Sequence, residues 1–251
     1  MDANSADWTF AQIDDARRAR VYRGWKSDAG QCVMLGHCRA RRANSYAVLV
    51  EDDRVTGVDT PQGVARADAV ICTVPTPLIS AMVADLPAAW KVRYESVVNM
   101  GVCCLVFKLK RSISPHFWVN VSEPDMAVPG IIEFSNLRPV GSESVVYVPY
   151  YMPNDNIKFT WTDKSLLDEA FGYLQRVNPN LEREDIIAAH VARLRYVQPV
   201  CEPGFAAKIP PVQTPILGLQ IADTCFYYPE DRGISESVRM GHEMANRLPS
   251  L

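Results

Sequence analysis

Apolar residues fill two segments near opposite ends of the chain with few polar breaks. The first covers residues 69–75 and is ended by Pro75, and the second covers residues 216–222. Near-continuous apolar runs of this length are typical of strands buried on both faces, as in a parallel sheet. We therefore predict that both segments are strands of one sheet and lie close together despite their separation in the sequence.

Between these segments the pattern changes to the alternation that is typical of antiparallel strands. Proline and glycine turns divide the strand-like runs, which are residues 97–110, 117–122, 130–135 and 144–151. A helix capped by Asp163 is predicted next, with an apolar stripe that includes Leu166 and Leu174. A second helix is expected at residues 182–189, followed by a strand at residues 191–200.

The remaining elements lie towards the two ends of the chain. A polar turn inside residues 46–58 predicts a hairpin, and a proline near the start of residues 76–86 suits the first turn of a helix. Spacing by three and four indicates a basic helix over residues 8–25. A last helix is predicted over residues 233–248. Its apolar residues at helical spacing are expected to pack on the core, and they are Ile234, Val238, Gly241, Ala245 and Leu248.

Together these patterns predict a mixed α/β fold made of two parts. In this interpretation residues 46–96 and 216–251 form one domain. Residues 97–215 form a second domain, an antiparallel sheet with helices, inserted between the two pieces of the first. Residues 1–45 are left as a basic N-terminal segment. A chain of 251 residues is long enough to bury a core of useful size in such an arrangement.

The charge of the chain argues against a nucleic-acid partner, because the net charge is −3. Charge is unevenly distributed, since residues 1–43 hold eight Arg or Lys against five Asp and therefore carry +3. A solvated helix face explains this bias, and a contact with a phosphate or an acidic surface is the sharper alternative.

Cysteine and histidine spacing indicates neither a disulfide framework nor a metal site. The seven cysteines include no C-x-x-C pair, and several lie inside apolar runs, so buried thiols and a cytoplasmic location are predicted. The four histidines show no paired spacing. No signal peptide or transmembrane helix is expected from the sequence, while peripheral contact with a membrane stays open.

The most informative segment follows the last predicted strand. Asp223 comes directly after that strand, and residues 228–233, of sequence YPEDRG, lead into the last helix. A helix N-terminus carries unpaired N–H groups and a partial positive charge, so it stabilises a group that gains negative charge. An acidic turn before a helix is also a common cap, and that simpler interpretation stays open.

The order of several segments resembles a group of FAD-dependent oxidoreductases that contains the amine oxidases, phytoene desaturases and protoporphyrinogen oxidases. The matching segments are residues 55–60, 67–75, 149–151, 192–199, 214–219 and 228–233. The resemblance implies that residues 46–96 and 216–251 are part of an FAD-binding domain and that the insert is a substrate domain. It also implies that the chain is the C-terminal portion, or one half, of such an enzyme.

The resemblance further implies which residues contact the flavin. Gly233 and Ile234 would direct backbone N–H groups at the edge of the ring where reduced flavin carries negative charge. Asp223 matches an acidic or amide residue that faces the ribityl and phosphate part, although Ala222 stands where many relatives have glycine. The implied cofactor contacts are Val48, Thr73, Pro75, Asp223, Tyr228, Asp231, Arg232, Gly233 and Ile234. No catalytic side chain is specified.

One feature of the family is missing from the sequence. None of the thirteen glycines forms the G-x-G-x-x-G fingerprint that holds a dinucleotide pyrophosphate at a helix N-terminus. The chain alone is therefore expected to purify with little FAD. Three interpretations follow: the C-terminal portion of a longer enzyme, one half of a split enzyme whose partner polypeptide carries the Rossmann half, or a degenerate relative. The first two are favoured because the flavin-side segment is intact.

The leading functional interpretation is an oxidoreductase that removes a hydride from a C–N or C–C bond of a small-molecule substrate. UDP-galactopyranose mutase uses a related fold with reduced flavin, so a flavin-dependent isomerase is the alternative, and a non-catalytic binding module is the third. Aromatic side chains of the insert either line a substrate pocket or pack in the core. They are Phe107, Phe117, Trp118, Phe134, Tyr147, Tyr150 and Tyr151.

Overall fold

The structure is a computed structural model that describes residues 21–27, 30–35, 47–61 and 63–247. The chain divides into two compact units, which are considered separately. Unit 1 comprises the described residues up to Val98 and from Gln198 onward, and unit 2 is Asn99–Val197. The mixed α/β class with antiparallel sheets that the sequence predicts is confirmed.

The elements have the following bounds. The strands are β1 (Val21–Ser27), β2 (Gly30–Leu35), β3 (Ala47–Glu51), β4 (Arg54–Asp59), β5 (Ala65–Arg66), β6 (Ala69–Cys72), β7 (Asn99–Leu109), β8 (Trp118–Asn120), β9 (Gly130–Glu133), β10 (Ser144–Pro153), β11 (Ile186–Pro199) and β12 (Leu219–Ile221). The helices are α1 (Ile79–Met82), α2 (Ala88–Glu95), α3 (Phe134–Leu137), α4 (Asp163–Val177), α5 (Phe205–Lys208) and α6 (Ile234–Asn246). Short 3₁₀ turns cover Thr76–Leu78, Ile157–Thr160, Arg183–Asp185 and Thr224–Tyr227.

The main sheet of unit 1 has the strand order β1-β2-β6-β12. Strands β2, β6 and β12 are parallel, with Val70 opposite Leu219 and Cys72 opposite Ile221. All four residues of β6 are buried, as a strand covered on both faces requires. The expected pairing of the two apolar segments at opposite ends of the chain is therefore confirmed.

The helix predicted over residues 8–25 is wrong in its last part, because strand β1 begins at Val21. Residues 21–27 are extended and pair antiparallel with β2, and the earlier part of the predicted helix lies outside the described residues. The sequence predicted no strand before residue 46, so β1 and β2 were both missed. Apolar and polar residues alternate only weakly in this segment, and its extended conformation depends on strand pairing.

The predicted hairpin at residues 46–58 is confirmed, because β3 and β4 are antiparallel and joined at Asp52 and Asp53, which both have positive φ. Strand β5 adds to β4 and completes a three-stranded sheet. The helix expected at residues 76–86 is shorter than predicted. Its helical path stops at Val83, and a separate helix, α2, begins after Pro87. Proline disfavours helical backbone at the residue before it, which keeps the two helices apart.

The last helix forms as predicted, but its buried face differs from the prediction. Met240 and Met244 are the buried residues of α6, and they join Ile71 and Ala222 in a small core. The residues expected in the core lie on another face of the helix and are exposed where the structure describes them. Leu248 lies outside the described residues.

Unit 2 is built on a five-stranded sheet of order β11-β7-β10-β9-β8. The four strand segments predicted between residues 97 and 151 are confirmed as β7 to β10, except that residues 134 and 135 of the third segment begin the short helix α3. Strands β7 and β10 are antiparallel over ten residue pairs, from Ser144 opposite Leu109 to Pro153 opposite Met100. Alternate residues of both strands, such as Phe107 and Tyr150, point into the main core of this unit.

Helix α4 covers the core side of this sheet with a buried face that includes Leu166 and Leu174, as predicted. Its N-cap is Thr162 and not Asp163, since the Thr162 hydroxyl accepts the Ser165 N–H. The helix predicted at residues 182–189 is wrong. Those residues form a 3₁₀ turn with a capping box and then enter β11, where the Asp185 carbonyl accepts the Lys110 N–H at 2.9 Å and the chain joins the sheet beside β7.

The chain leaves unit 1 and returns to it at one point, where the Val200 N–H donates to the Val98 carbonyl at 2.8 Å. Residues 201–215 then run as a loop that contains the short helix α5. In the part of the chain that the structure describes, no helix is long and apolar enough to cross a membrane.

Candidate flavin-edge site

The candidate site lies at the carboxyl ends of two neighbouring parallel strands. Because β6 and β12 are parallel, the residues that follow them emerge at the same edge of the sheet. Thr73 and Pro75 follow β6, and Asp223 follows β12. Open α/β sheets bind ligands in the crevice outside the carboxyl ends of their strands. Three of the nine predicted contact residues are therefore brought to this edge.

Asp223 ties the two strand ends together. Its Oδ2 accepts the backbone N–H of Thr76 at 2.6 Å, and its Oδ1 accepts the N–H of Cys225 at 2.8 Å. Hydrogen bonds to an ionised carboxylate are short and strong. The half-buried side chain keeps further lone pairs on both oxygens, so Asp223 fixes this corner and can still accept from a ligand hydroxyl.

Two hydroxyl groups beside this corner were not found by sequence reasoning. The Oγ of Thr76 and the hydroxyl of Tyr94 are fully buried and have no hydrogen-bond partner among the described residues. Buried polar groups without partners are uncommon and mark strain or a place for a ligand or water. Thr76 could have been found from the sequence, because it directly follows Pro75 at the end of the predicted strand. Nothing in the sequence pointed to Tyr94.

The thiol at this corner is not a nucleophile. Burial raises the pKa of Cys225, and the nearby negative charge of Asp223 raises it further. Burial likewise raises the pKa of Tyr94, with Cys72 and Cys225 adding to the effect. The Cys225 thiol and the Tyr94 phenol therefore stay neutral at physiological pH, and Cys225 is not a thiolate.

The loop between this corner and α6 holds three more predicted contacts. Tyr228 is 40% exposed and packs edge-to-face on Phe205, with ring centroids 5.4 Å apart. The Asp231 carboxylate accepts the backbone N–H of Arg232 at 2.7 Å.

Gly233 is the N-cap of α6 and has extended backbone, with φ −140°. Within the described part of the chain, no side chain caps this helix N-terminus. A Cβ added at Gly233 would meet no atom within 4 Å, so protein packing does not require glycine here. The extended backbone at position 233 does not require glycine either. An uncapped helix N-terminus beside a glycine in open space leaves room for a ligand to approach the backbone closely.

The structure does not bring all nine residues to one place. Ile234 is 85% exposed at the start of α6 and contacts the solvent. Val48 is buried on β3, in the three-stranded sheet, and lies opposite Val58. Its side chain has no access to a ligand in this structure, and nothing in the described residues places it beside Asp223.

Among the described residues, no group of three or more His, Cys, Asp or Glu side chains is placed to hold a metal ion.

The seven aromatic residues that the sequence analysis singled out in unit 2 separate into three sets. Phe107 and Tyr150 belong to the core. Tyr147 and Tyr151 alternate with core residues of β10 and therefore lie on the opposite, half-buried face of the sheet, where Phe134 packs edge-to-face on Tyr147. The other two, Phe117 and Trp118, are exposed. The face with Tyr147 and Tyr151 offers half-buried aromatic rings to a ligand.

Comparison with known proteins supports the fold of this chain. No protein-family model and no curated protein sequence matches it. A putative protoporphyrinogen oxidase from Exiguobacterium sp. 255-15 matches with TM-score 0.60 and 16% identity over 80% of this chain and 45% of its own. A redesigned putrescine oxidase matches with TM-score 0.61 and 11% identity over 81% and 48%. An oxidoreductase from Methanosarcina mazei matches with TM-score 0.54 and 13% identity over 70% and 42%.

These values show a shared fold, and the resemblance to the oxidase group is confirmed at that level. The chain spans less than half of the length of each of the three structures.

Proposed function

We propose that this chain supplies the flavin-ring side and the substrate side of an FAD-dependent oxidoreductase that removes a hydride from a C–N or C–C bond. One observation carries the proposal. The Asp223 carboxylate joins the ends of two parallel strands through the Thr76 N–H, and the same loop leads to an uncapped helix N-terminus at Gly233. The likeness to three oxidoreductase folds supports the same assignment.

The residues of this corner fit one part of FAD. Asp223 has free lone pairs for ribityl hydroxyls, and the buried Thr76 hydroxyl has no partner among the described residues. The N–H groups at the start of α6 suit a ring edge that gains negative charge on reduction. FAD, when bound, supplies the hydride acceptor. The chain's own residues hold and orient the ring and stabilise its developing charge.

The residues of this chain do not fit the other part of FAD. The sequence has no G-x-G-x-x-G turn to hold the pyrophosphate. In this proposal residues 46–96 and 216–251 are the flavin-ring part of the nucleotide domain, and residues 97–215 form the substrate domain. In this proposal the pyrophosphate and adenosine part of FAD is held by a dinucleotide-binding half outside these residues, either in a longer form of the chain or on a second polypeptide.

The substrate in this proposal is a small molecule with a flat or extended apolar part. The half-buried face with Tyr147 and Tyr151, together with Cys104 and Val106 on β7, supports this choice because aromatic and apolar side chains dominate small-molecule sites. We also propose that the protein works in the cytoplasm, since its buried cysteines are kept reduced there.

The test is a reconstitution. The purified chain is mixed with FAD and with a separately expressed fragment of the Exiguobacterium protein, namely the part that lies outside the match. Amines and compounds with saturated C–C bonds are then added without oxygen, and bleaching of the flavin absorbance is the expected result. Tight binding of UDP-sugars without bleaching overturns the proposal in favour of an isomerase, and an assembly that binds no flavin overturns it in favour of a binding module.

A further inference from the structure

Four side chains form a straight row across the sheet of unit 2. Tyr147 of β10 lies directly opposite Val106 of β7 on one side and Ile132 of β9 on the other. Ile132 lies directly opposite Trp118 of β8. Directly opposite residues of antiparallel strands project from the same face of a sheet, so these side chains are neighbours. We call the four residues the cross-strand row.

The cross-strand row lies on the face of the sheet that points away from the core. Val146 and Val148, which flank Tyr147 along β10, belong to the core, so Tyr147 projects from the other face. The side chain of Trp118 is 50% exposed, and the other three members are half-buried. Strands lie about 4.8 Å apart, so a row across four strands is about 14 Å long. The sheet therefore presents an apolar strip of that length, and Trp118 is its outer end.

The indole of Trp118 is held in place by its own chain. Its Nε1 donates to the Oδ1 of Asn120 at 2.7 Å. A Cβ added at Gly130 would lie 3.2 Å from Nε1 and 3.4 Å from Cε2 of the indole, so the ring lies close against the backbone of β9. A ring that is already fixed loses little conformational entropy when a ligand stacks on its exposed part.

The charges around the cross-strand row favour a neutral ligand. None of its four side chains is charged. Lys108 lies two positions along β7 from Val106 and therefore on the same face, but its Nζ is paired with the Glu143 carboxylate at 2.9 Å. Burying a charge without a partner is costly, so a charged ligand is disfavoured on this strip. The ring of Tyr147, against which Phe134 packs edge-to-face, suits a flat ligand.

We propose that the cross-strand row binds a neutral conjugated or polycyclic hydrocarbon skeleton at least about 14 Å long, one ring of which stacks on Trp118. The inference rests on the proposed function in calling this molecule the substrate, whereas binding itself needs no flavin. It deepens that function, because a neutral hydrocarbon loses its hydride from a C–C bond and a protonated amine finds no charged partner in the row.

A segment of this chain outside the described residues is the competing occupant of the row. Residues 36–46 suit it poorly, since they contain three arginines and no aliphatic residue larger than alanine. Residues 1–20 are the stronger competitor, because they include Trp8 and Phe10. Hydroxyl-radical footprinting of the chain alone separates the two. Trp118 should be oxidised faster than the half-buried Trp90 and Trp161. Protection of Trp118 in the chain alone overturns the inference in favour of its own segment.

Binding is tested with 1,6-diphenylhexatriene, a neutral rod with a ring at each end that becomes fluorescent when it leaves water. The purified chain should bind it without FAD, and the bound probe should slow the oxidation of Trp118. An excess of 1,12-diaminododecane, a rod with a cation at each end, should not displace it. Displacement by the diamine overturns the assignment of a neutral ligand, and failure of the wild type to bind the probe overturns the site.

Three variants locate the bound probe. Trp118→Leu keeps an apolar cover over Gly130 but removes the ring, and it should weaken binding about threefold to tenfold. Trp118→Phe should restore most of the affinity. Leu137→Ala is the matched control, since Leu137 is 63% exposed in the same unit but lies outside the row, and it should bind like the wild type. Equal binding by Trp118→Leu and the wild type overturns the inference.

The reconstitution described above separates this inference from the proposed function. Binding of the probe that depends on Trp118, with no flavin bleaching by any compound, overturns the proposed reaction and leaves the cross-strand row standing as a binding site. Flavin bleaching by amines in a chain that does not bind the probe supports the proposed function and overturns the row.

Discussion

The Asp223 carboxylate accepts a hydrogen bond from the backbone N–H of Thr76 at 2.6 Å, although 147 positions separate the two residues in the sequence. This bond joins the turn after β6 to the turn after β12. The same carboxylate accepts the Cys225 N–H and so caps the 3₁₀ turn that follows. One side chain thus sets the relative positions of the two strand ends from which the proposed flavin edge is built.

Replacing Asp223 with alanine should therefore destabilise unit 1. The change leaves the Thr76 and Cys225 N–H groups without their acceptor, and we expect a loss of about 2 to 3 kcal/mol in the free energy of unfolding. Urea unfolding measures it. Asp231→Ala is the control, because the Asp231 carboxylate is exposed and accepts from the backbone of its sequence neighbour Arg232. Equal losses for both variants would show that Asp223 has no special role in holding this corner.

Two glycines at opposite ends of this segment should respond differently to alanine. Gly218 has φ +85°, and an added Cβ would lie 2.6 Å from the Asp68 carbonyl oxygen. Gly218→Ala should cost about 1 to 3 kcal/mol from backbone strain alone. Gly233→Ala should cost less than about 1 kcal/mol, because its backbone is extended and its surroundings are open. Thermal unfolding of both variants checks the order, and a larger loss for Gly233→Ala contradicts it.

Glutamate at position 233 should act on the flavin and not on the fold. Gly233→Glu places a Cβ and an anion where the start of α6 is proposed to meet the ring edge. In the reconstituted assembly we expect a lower reduction potential and slower flavin bleaching. Potentiometry gives the value, with Ile234→Val as the mild control on the same turn. A wild-type potential with normal flavin content would mean that Gly233 is only a helix boundary.

Stability should fall at alkaline pH. Burial raises the pKa of Cys225, Tyr94 and Tyr150 above the unfolded values of about 8.5 for Cys and about 10 for Tyr. A group with a raised folded pKa contributes stability that is complete below its unfolded pKa and is lost as the pH rises above it. Between pH 8 and 10 we expect each buried thiol to cost up to about 1.4 kcal/mol per pH unit. Urea midpoints measure the slope, and Cys225→Ala should make it shallower. An unchanged slope in that variant contradicts the assignment.

The parts of the fold that the sequence predicted are those in which a single burial pattern decides the structure. Strand β6 is buried on both faces, and its unbroken apolar run could only suit such a position. Strands β7 and β10 alternate because one face meets the core. The failures lie where pairing with a distant strand overrides the local pattern. At residues 182–189 the Asp185 carbonyl accepts the Lys110 N–H and the chain joins the sheet as β11, which helical spacing alone does not reveal.

The candidate site was predictable only in part, for a related reason. Asp223 and Gly233 stood out because both belong to the segment whose order resembles the flavin-contacting end of the oxidase group. Thr76 and Tyr94 did not stand out, since their hydroxyls become unusual only once folding buries them without a partner among the described residues. The two apolar faces of α6 illustrate the same limit. Sequence spacing gives the width of the apolar arc, and only the packed structure shows which half is covered.

The hydrogen bond between the Val98 carbonyl and the Val200 N–H holds the two ends of unit 2 close together. Because the two ends of unit 2 meet at that bond, a short turn could join them without moving either strand of the main sheet. Each halving of the intervening loop would recover about 0.6 kcal/mol of closure entropy. The replacement of unit 2 by another unit with equally close ends would therefore leave the main sheet of unit 1 unchanged. The hydrogen bond between the Thr76 N–H and the Asp223 carboxylate would keep its place in such an exchange.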